Sequence, residues 1–128
     1  MRSLMLDELA SWEMAAVKDY LAVQAEFSGV TGLYWLSLPS ELWADSQRQA
    51  HTGRLPGAES YRLAVETGAS WVRFELLVRS ETLANHGSGP VTAEQALFVF
   101  KWAESMAKQL NLVTCLGSTS EPQEPKTT

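Results

Sequence analysis

Five charged residues crowd one short stretch of this sequence: Arg62, Glu66, Arg73, Glu75 and Arg79 all fall between positions 61 and 80. A guanidinium presents a planar fork of donors that fits carboxylate or phosphate, so the stretch suits an anion or partner site. It equally suits a solvated sheet face laced with cross-strand ion pairs. With three basic and two acidic residues, it is the net-positive part of an otherwise acidic chain. Trp71 and Leu77 add apolar area to the same stretch, and Trp35 lies in a second aromatic segment upstream. The candidate ligand or partner face is therefore Arg62, Arg73, Glu75, Arg79, Trp71, Leu77 and Trp35.

The other reactive side chains lack company. His51 and His86 sit in glycine-containing segments, and each has the chemistry of a general base. Neither has a carboxylate, serine or cysteine placed beside it for that work, so both read as solvated loop histidines. A single cysteine, Cys115, fits a small buried hydrophobe better than a nucleophile. One cysteine and two histidines give no zinc-ligand spacing, and no metal or cofactor is expected. Asn85-His86-Gly87-Ser88-Gly89 precedes a helix as a phosphate cradle would. It lacks the Gly-x-x-x-x-Gly-Lys-Ser/Thr pattern, and Pro90 removes an amide donor. The five tryptophans, Trp12, Trp35, Trp43, Trp71 and Trp102, are assigned to core and interface packing. No catalytic residue is assigned.

Those residues need a scaffold, and the pattern supplies one. With Gly68-Ala69 as a two-residue turn, Val65 pairs with Val72, Leu63 with Phe74 and Tyr61 with Leu76, all apolar. The opposite face pairs Glu66 with Trp71, Ala64 with Arg73 and Arg62 with Glu75. A slip of one residue would exchange the two faces, so turn and alternation support each other. The inner face then carries Tyr61, Leu63, Val65, Val72, Phe74, Leu76 and Val78.

Upstream, Leu9, Trp12, Ala16, Tyr20, Val23 and Phe27 recur at three- and four-residue steps, which predicts a helix over about Leu4 to Phe27, ended by Gly29. Met14, Val17 and Leu21 widen its stripe, so this helix is expected to touch more than one neighbour. Val30 to Leu38 reads as a strand apolar on both faces, covered either by Ser40–Pro56 or by a second subunit. Ser40 and Asp45 suit short helical turns, followed by a loop from His51 to Gly57. Thr92 and Gln95 have capping-box spacing for a helix from Ala93 to about Leu110, with Ala96, Phe100, Ala103, Ala107 and Leu110 on one stripe.

The expected fold class is α+β: a two-layer, three-stranded, largely antiparallel sheet with two long helices on one face, in the order α-β-β-β-α, with short helical turns between the first two strands. Residues 1–116 form a single domain and 117–128 a disordered tail. The same order of elements occurs in double-stranded-RNA-binding domains. Their second helix meets phosphates, whereas this one begins Thr92-Ala93-Glu94-Gln95 with no basic cluster.

A formal net charge of −5 weighs against nucleic acid and anionic membranes alike, and no apolar run is long enough to span a bilayer. Acidic residues at Asp7 and Glu8 come too early for a secretory signal, and the lone cysteine suits a reducing compartment, so the expected location is cytoplasmic. The reading is a non-enzymatic interaction or binding module with a protein partner, homodimeric through the outer sheet face or the first strand. A more specific form is a small acidic chaperone or adaptor, because the chain resembles dimeric secretion chaperones in size, acidity and mixed α/β content. Their sheets usually have more strands. The alternative is a small enzyme or anion-binding protein using the outer sheet face.

Overall fold

Alternation from Tyr61 onward builds the centre of the sheet. β4 (Tyr61–Thr67) and β5 (Val72–Glu75) form the antiparallel hairpin that the apolar pattern predicts, and all seven expected inner-face residues are buried. The computed structural model describes residues 2–51, 61–80 and 88–113.

Within those residues the architecture is α+β, with an antiparallel sheet of seven strands in place of the expected three. β1 (Ser3–Leu6) pairs with the free side of β5, and β3 (Leu33–Ser37) with the free side of β4. β2 (Glu26–Phe27) closes the far edge, giving the order β1-β5-β4-β3-β2. After Leu76 the chain steps into β6 (Leu77–Ser80), which pairs with β4 at Tyr61 and Arg62 and on its other side with β7 (Gly89–Pro90). The unforeseen strands β1, β2 and β7 are two to four residues long. Segments that short carry too few positions for a periodicity, and only a partner strand defines them.

The hairpin register differs from the expected one by two residues, which keeps every side chain on its face. Val65 faces Phe74 and Glu66 faces Arg73, while Gly68 and Trp71 close the turn through a 2.8 Å bond from the Gly68 N–H to the Trp71 carbonyl. Ala69 and Ser70 are the turn residues. Glycine is needed at 68 for room: a Cβ there would lie 2.2 Å from Cε2 of the Trp71 indole.

Helix α1 (Ser11–Gln24) starts seven residues later than the periodicity suggested. Leu4 and Leu6 are buried and Met5 is exposed, the alternation of a strand, and Glu8 at φ 57° turns the chain before the helix. At the far end Ala25 is extended, and Phe27 belongs to β2. The inward face of α1 is Met14, Val17 and Leu21, whereas Trp12 and Val23 point to solvent. The helix has two apolar stripes, and the one expected to be central lies mainly outside.

Helix α3 (Ala93–Gln109) begins at the predicted capping box: Thr92 Oγ1 accepts from the Gln95 N–H at 3.1 Å, and Gln95 Oε1 accepts from the Thr92 N–H at 2.9 Å. Its buried stripe is Gln95, Val99, Ala103, Met106 and Ala107, rotated slightly from the predicted one. Trp102 joins the layers, with its ring 5.8 Å from Phe74 of the sheet and 5.5 Å from Tyr20 of α1, both edge-on. Such contacts add to the roughly 1.5–3 kcal/mol that burial of each large apolar side chain contributes.

The turn at Ser40–Leu42 and the short helix α2 (Asp45–His51) form where Ser40 and Asp45 suggested. Their described contacts are with Tyr61 on the inner side of the sheet and with Gln95 of α3. Trp43 stacks edge-on against inward-facing Tyr61 at 4.8 Å, and the Tyr61 hydroxyl donates to the Gln47 carbonyl at 3.0 Å. The buried Gln95 amide donates at 2.9 Å to both the Leu42 carbonyl and Gln47 Oε1, tying this segment to the start of α3. No helix among the described residues is long and apolar enough to cross a membrane. His51, expected to open a loop running to Gly57, instead ends α2. Residues 52–57, His86 and Cys115, the start of the phosphate-cradle segment and the tail at 117–128 lie outside the described residues.

Candidate functional site

Pleating sends Arg62, Ala64 and Glu66 of β4 to the face opposite the helices, beside Trp35 of β3 and Arg73 of β5. Arg62 is flanked by Ser37 on one neighbouring strand and by Arg79 on the other. Its guanidinium carbon sits 3.9 Å from the centroid of the Trp35 ring, a close cation–π contact. This answers the question posed by the two-faced strand: Tyr34 and Leu36 enter the core, and Trp35 is half-covered by Arg62.

The other two arginines are committed. Arg73 pairs with Glu66, with a 3.1 Å bond from Nε and a second contact from Nη2, and lies 5.5 Å from the Trp71 ring. Arg79 forms a bidentate fork with Glu75, at 2.9 Å and 3.0 Å. Hydrogen bonding to Glu75 raises the Arg79 guanidinium above its ordinary pKa. These partners differ from the predicted cross-strand pair of Arg62 with Glu75, because the two-residue shift brings Arg73 opposite Glu66. The step at Leu76 then brings Arg79 opposite Arg62.

Among the described residues, Arg62 is therefore the one arginine of the face without a carboxylate. Its Nε is closed off from solvent and has no hydrogen-bond partner. A buried donor left unmade costs about 1–3 kcal/mol, and more when it belongs to a charged group, so such a position calls for an explanation.

Leu77 stands apart from the arginine–tryptophan cluster. It pairs with Pro90 and lines a cleft of about 380 Å³ together with Arg2, Glu75, Leu76 and Pro90. A second cleft of the same size lies at the hairpin end, between Lys18, Phe27, Thr31, Tyr34 and Thr67. The sequence reading missed Ser37 and Met5 as members of the outer face. Ser37 follows from the alternation of β3, but Met5 reaches the face only because β1 pairs with β5. Among the described residues no group of three His, Cys, Asp or Glu could hold a metal ion. No family model, curated protein or solved structure matches the chain.

Proposed function

We propose that this protein is a non-enzymatic interaction module that works as a homodimer and docks a partner protein on its outer sheet face. The docked element is an extended, mainly apolar segment carrying a carboxylate. The observation that carries this reading is Arg62: its guanidinium lies 3.9 Å over the Trp35 ring, and no carboxylate among the described residues pairs with it. A carboxylate on the partner would pair with the open part of this half-buried arginine, with Ser37 on the neighbouring strand beside it, and charge-assisted pairs of this kind are among the stronger hydrogen bonds. Glu66 and Glu75 are held by Arg73 and Arg79, which favours a fixed recognition surface over acid–base work. The chain's net charge of −5 opposes long-range attraction of acidic ligands, so the contact is expected to be short-ranged and helped by apolar burial on Trp35 and Leu33.

The test is calorimetric titration with a short peptide that places one glutamate between apolar residues. The parent should bind it, and the glutamine counterpart of the peptide should bind at least about tenfold more weakly, the loss of roughly 1.4 kcal/mol. Arg62→Gln should bring the two peptides to the same weak affinity. Equal binding of both peptides by the parent would remove the carboxylate from the account. Free acetate competing as well as the peptide would favour a small-anion site in its place.

A further inference from the structure

We infer that the cleft at the hairpin end is a binding site for a small aromatic monocarboxylate, with the carboxylate on Lys18 and Tyr34 and the ring on Phe27. The site is separate from the docking surface above, because Tyr34 enters the core side of the sheet and Arg62 lies on the other. The sheet fixes its floor. The turn from Val30 to Leu33 closes through a 3.0 Å bond from the Leu33 N–H to the Val30 carbonyl, with Gly32 at φ +83°. The Gly32 carbonyl accepts from the Thr67 N–H at 2.8 Å, which pins the turn to the end of β4. Helix α1 brings Lys18 to the same place, and β2 brings Phe27. The space between them, about 380 Å³, falls within the roughly 300–1,000 Å³ of small-ligand pockets.

Three side chains of the cleft have capacity to spare. Lys18 forms no ion pair with a described residue. Tyr34 is only 9% exposed, and its hydroxyl neither bonds to a described residue nor is sealed from solvent, so the tip of this buried ring stays available where it lines the cleft. Phe27 is 54% exposed, with its ring 5.7 Å from that of Tyr34 and tilted by 59°. An ammonium and a phenol hydroxyl both donate, and one carboxylate accepts from both in charge-assisted bonds. The exposed Phe27 ring offers an aromatic ligand an offset or edge-on contact. One cation suits one negative charge. A phosphate dianion would be half-neutralised, and the chain's net charge of −5 gives it no help. A half-open cleft with a single cation predicts a dissociation constant of about 0.1–1 mM for a ligand of about ten non-hydrogen atoms.

Amide chemical-shift titration of the full chain with phenylacetate tests it, with neutral phenylacetamide and inorganic phosphate as controls. Phenylacetate should shift the Lys18, Phe27, Gly32 and Thr67 amides saturably, and phenylacetamide should bind at least about fivefold more weakly. Lys18→Met keeps the stem and Tyr34→Phe keeps the ring, and each should weaken phenylacetate at least about threefold while far-UV circular dichroism stays unchanged. Phe27→Ala should weaken acid and amide alike. Absence of saturable shifts at these amides up to about 10 mM overturns the inference. So do equal affinities for acid and amide, or an affinity that Lys18→Met leaves intact. Phosphate binding as tightly as phenylacetate overturns the ligand class. Arg62→Gln should leave phenylacetate binding unchanged, and Lys18→Met should leave glutamate-peptide binding unchanged, so either reading can fail while the other stands.

Discussion

Gln95 provides the sharpest test of how the fold is held, because local and tertiary rules give opposite answers there. At the third position of α3, a glutamate would normally serve the capping box as well as glutamine does, and the helix dipole would favour it. In this fold the Gln95 side chain is fully buried, and its Nε2 donates at 2.9 Å to two acceptors, the Leu42 carbonyl and Gln47 Oε1. Gln95→Glu puts an acceptor-only carboxylate against both. Rotating the Gln47 amide moves the conflict to the Ala44 N–H, which Gln47 Oε1 now accepts at 2.8 Å. Two lost bonds at about 1 kcal/mol each, with the unpaired acceptors and a buried charge, make a loss of about 3 kcal/mol at neutral pH.

Urea unfolding followed by tryptophan fluorescence reads this loss. At a slope of about 1–3 kcal/mol per molar, the midpoint should fall by about 1–3 M. The introduced carboxyl is expected to have a folded-state pKa above its unfolded one, so the deficit is complete above the folded value. It shrinks as pH falls through that value, when the protonated group regains a donor. Gln95→Leu, which removes the bonds without adding charge, should cost less and show no such pH dependence. A Gln95→Glu variant as stable as the parent at neutral pH would refute the argument that this buried amide joins α3 to the turn at 40–42.

Three further outcomes follow from the geometry. Glu13 accepts backbone N–H bonds from Ala10 at 2.7 Å and Val113 at 2.8 Å, and those bonds hold its carboxyl below the ordinary value of 4.5. Its contribution is therefore complete above about 4.5 and lost as pH falls through the lower folded value, so Glu13→Gln should flatten the acid limb of a stability–pH curve. Gly32→Ala forces a side chain into φ +83° with its Cβ 3.2 Å from the Thr67 carbonyl, and thermal melts should show a loss of about 1–2 kcal/mol. Phe74→Ala empties the meeting point of sheet and Trp102, and should cost about 3–5 kcal/mol in the same melts.

Where the sequence was legible, two independent signals agreed. Thr92 and Gln95 marked the start of α3 by type and spacing, and the alternation through 61–78 identified the buried face although the turn was misplaced by one position. The misplacement has a specific cause: Gly68 was read as a turn glycine, but it is small because the Trp71 indole lies over it. Periodicity placed α1 without revealing which of its stripes faces the core, since Trp12 and Val23 look as suitable as Met14 and Leu21. Strands β1, β2 and β7 were hidden because pairing alone defines them. The arginines were found as a group, but their roles depended on the register and on the step at Leu76. Only the assembled sheet separates Arg62 from Arg73 and Arg79.

The outer-face reading is tested most directly by amide chemical-shift mapping of the isotope-labelled chain during titration with the glutamate peptide. The account predicts that the largest changes fall on Trp35, Ser37, Arg62 and Ala64, together with the Trp35 indole N–H, and vanish in Arg62→Gln. Changes centred on the cleft beside Lys18 and Tyr34, or a pattern that Arg62→Gln leaves intact, would contradict it.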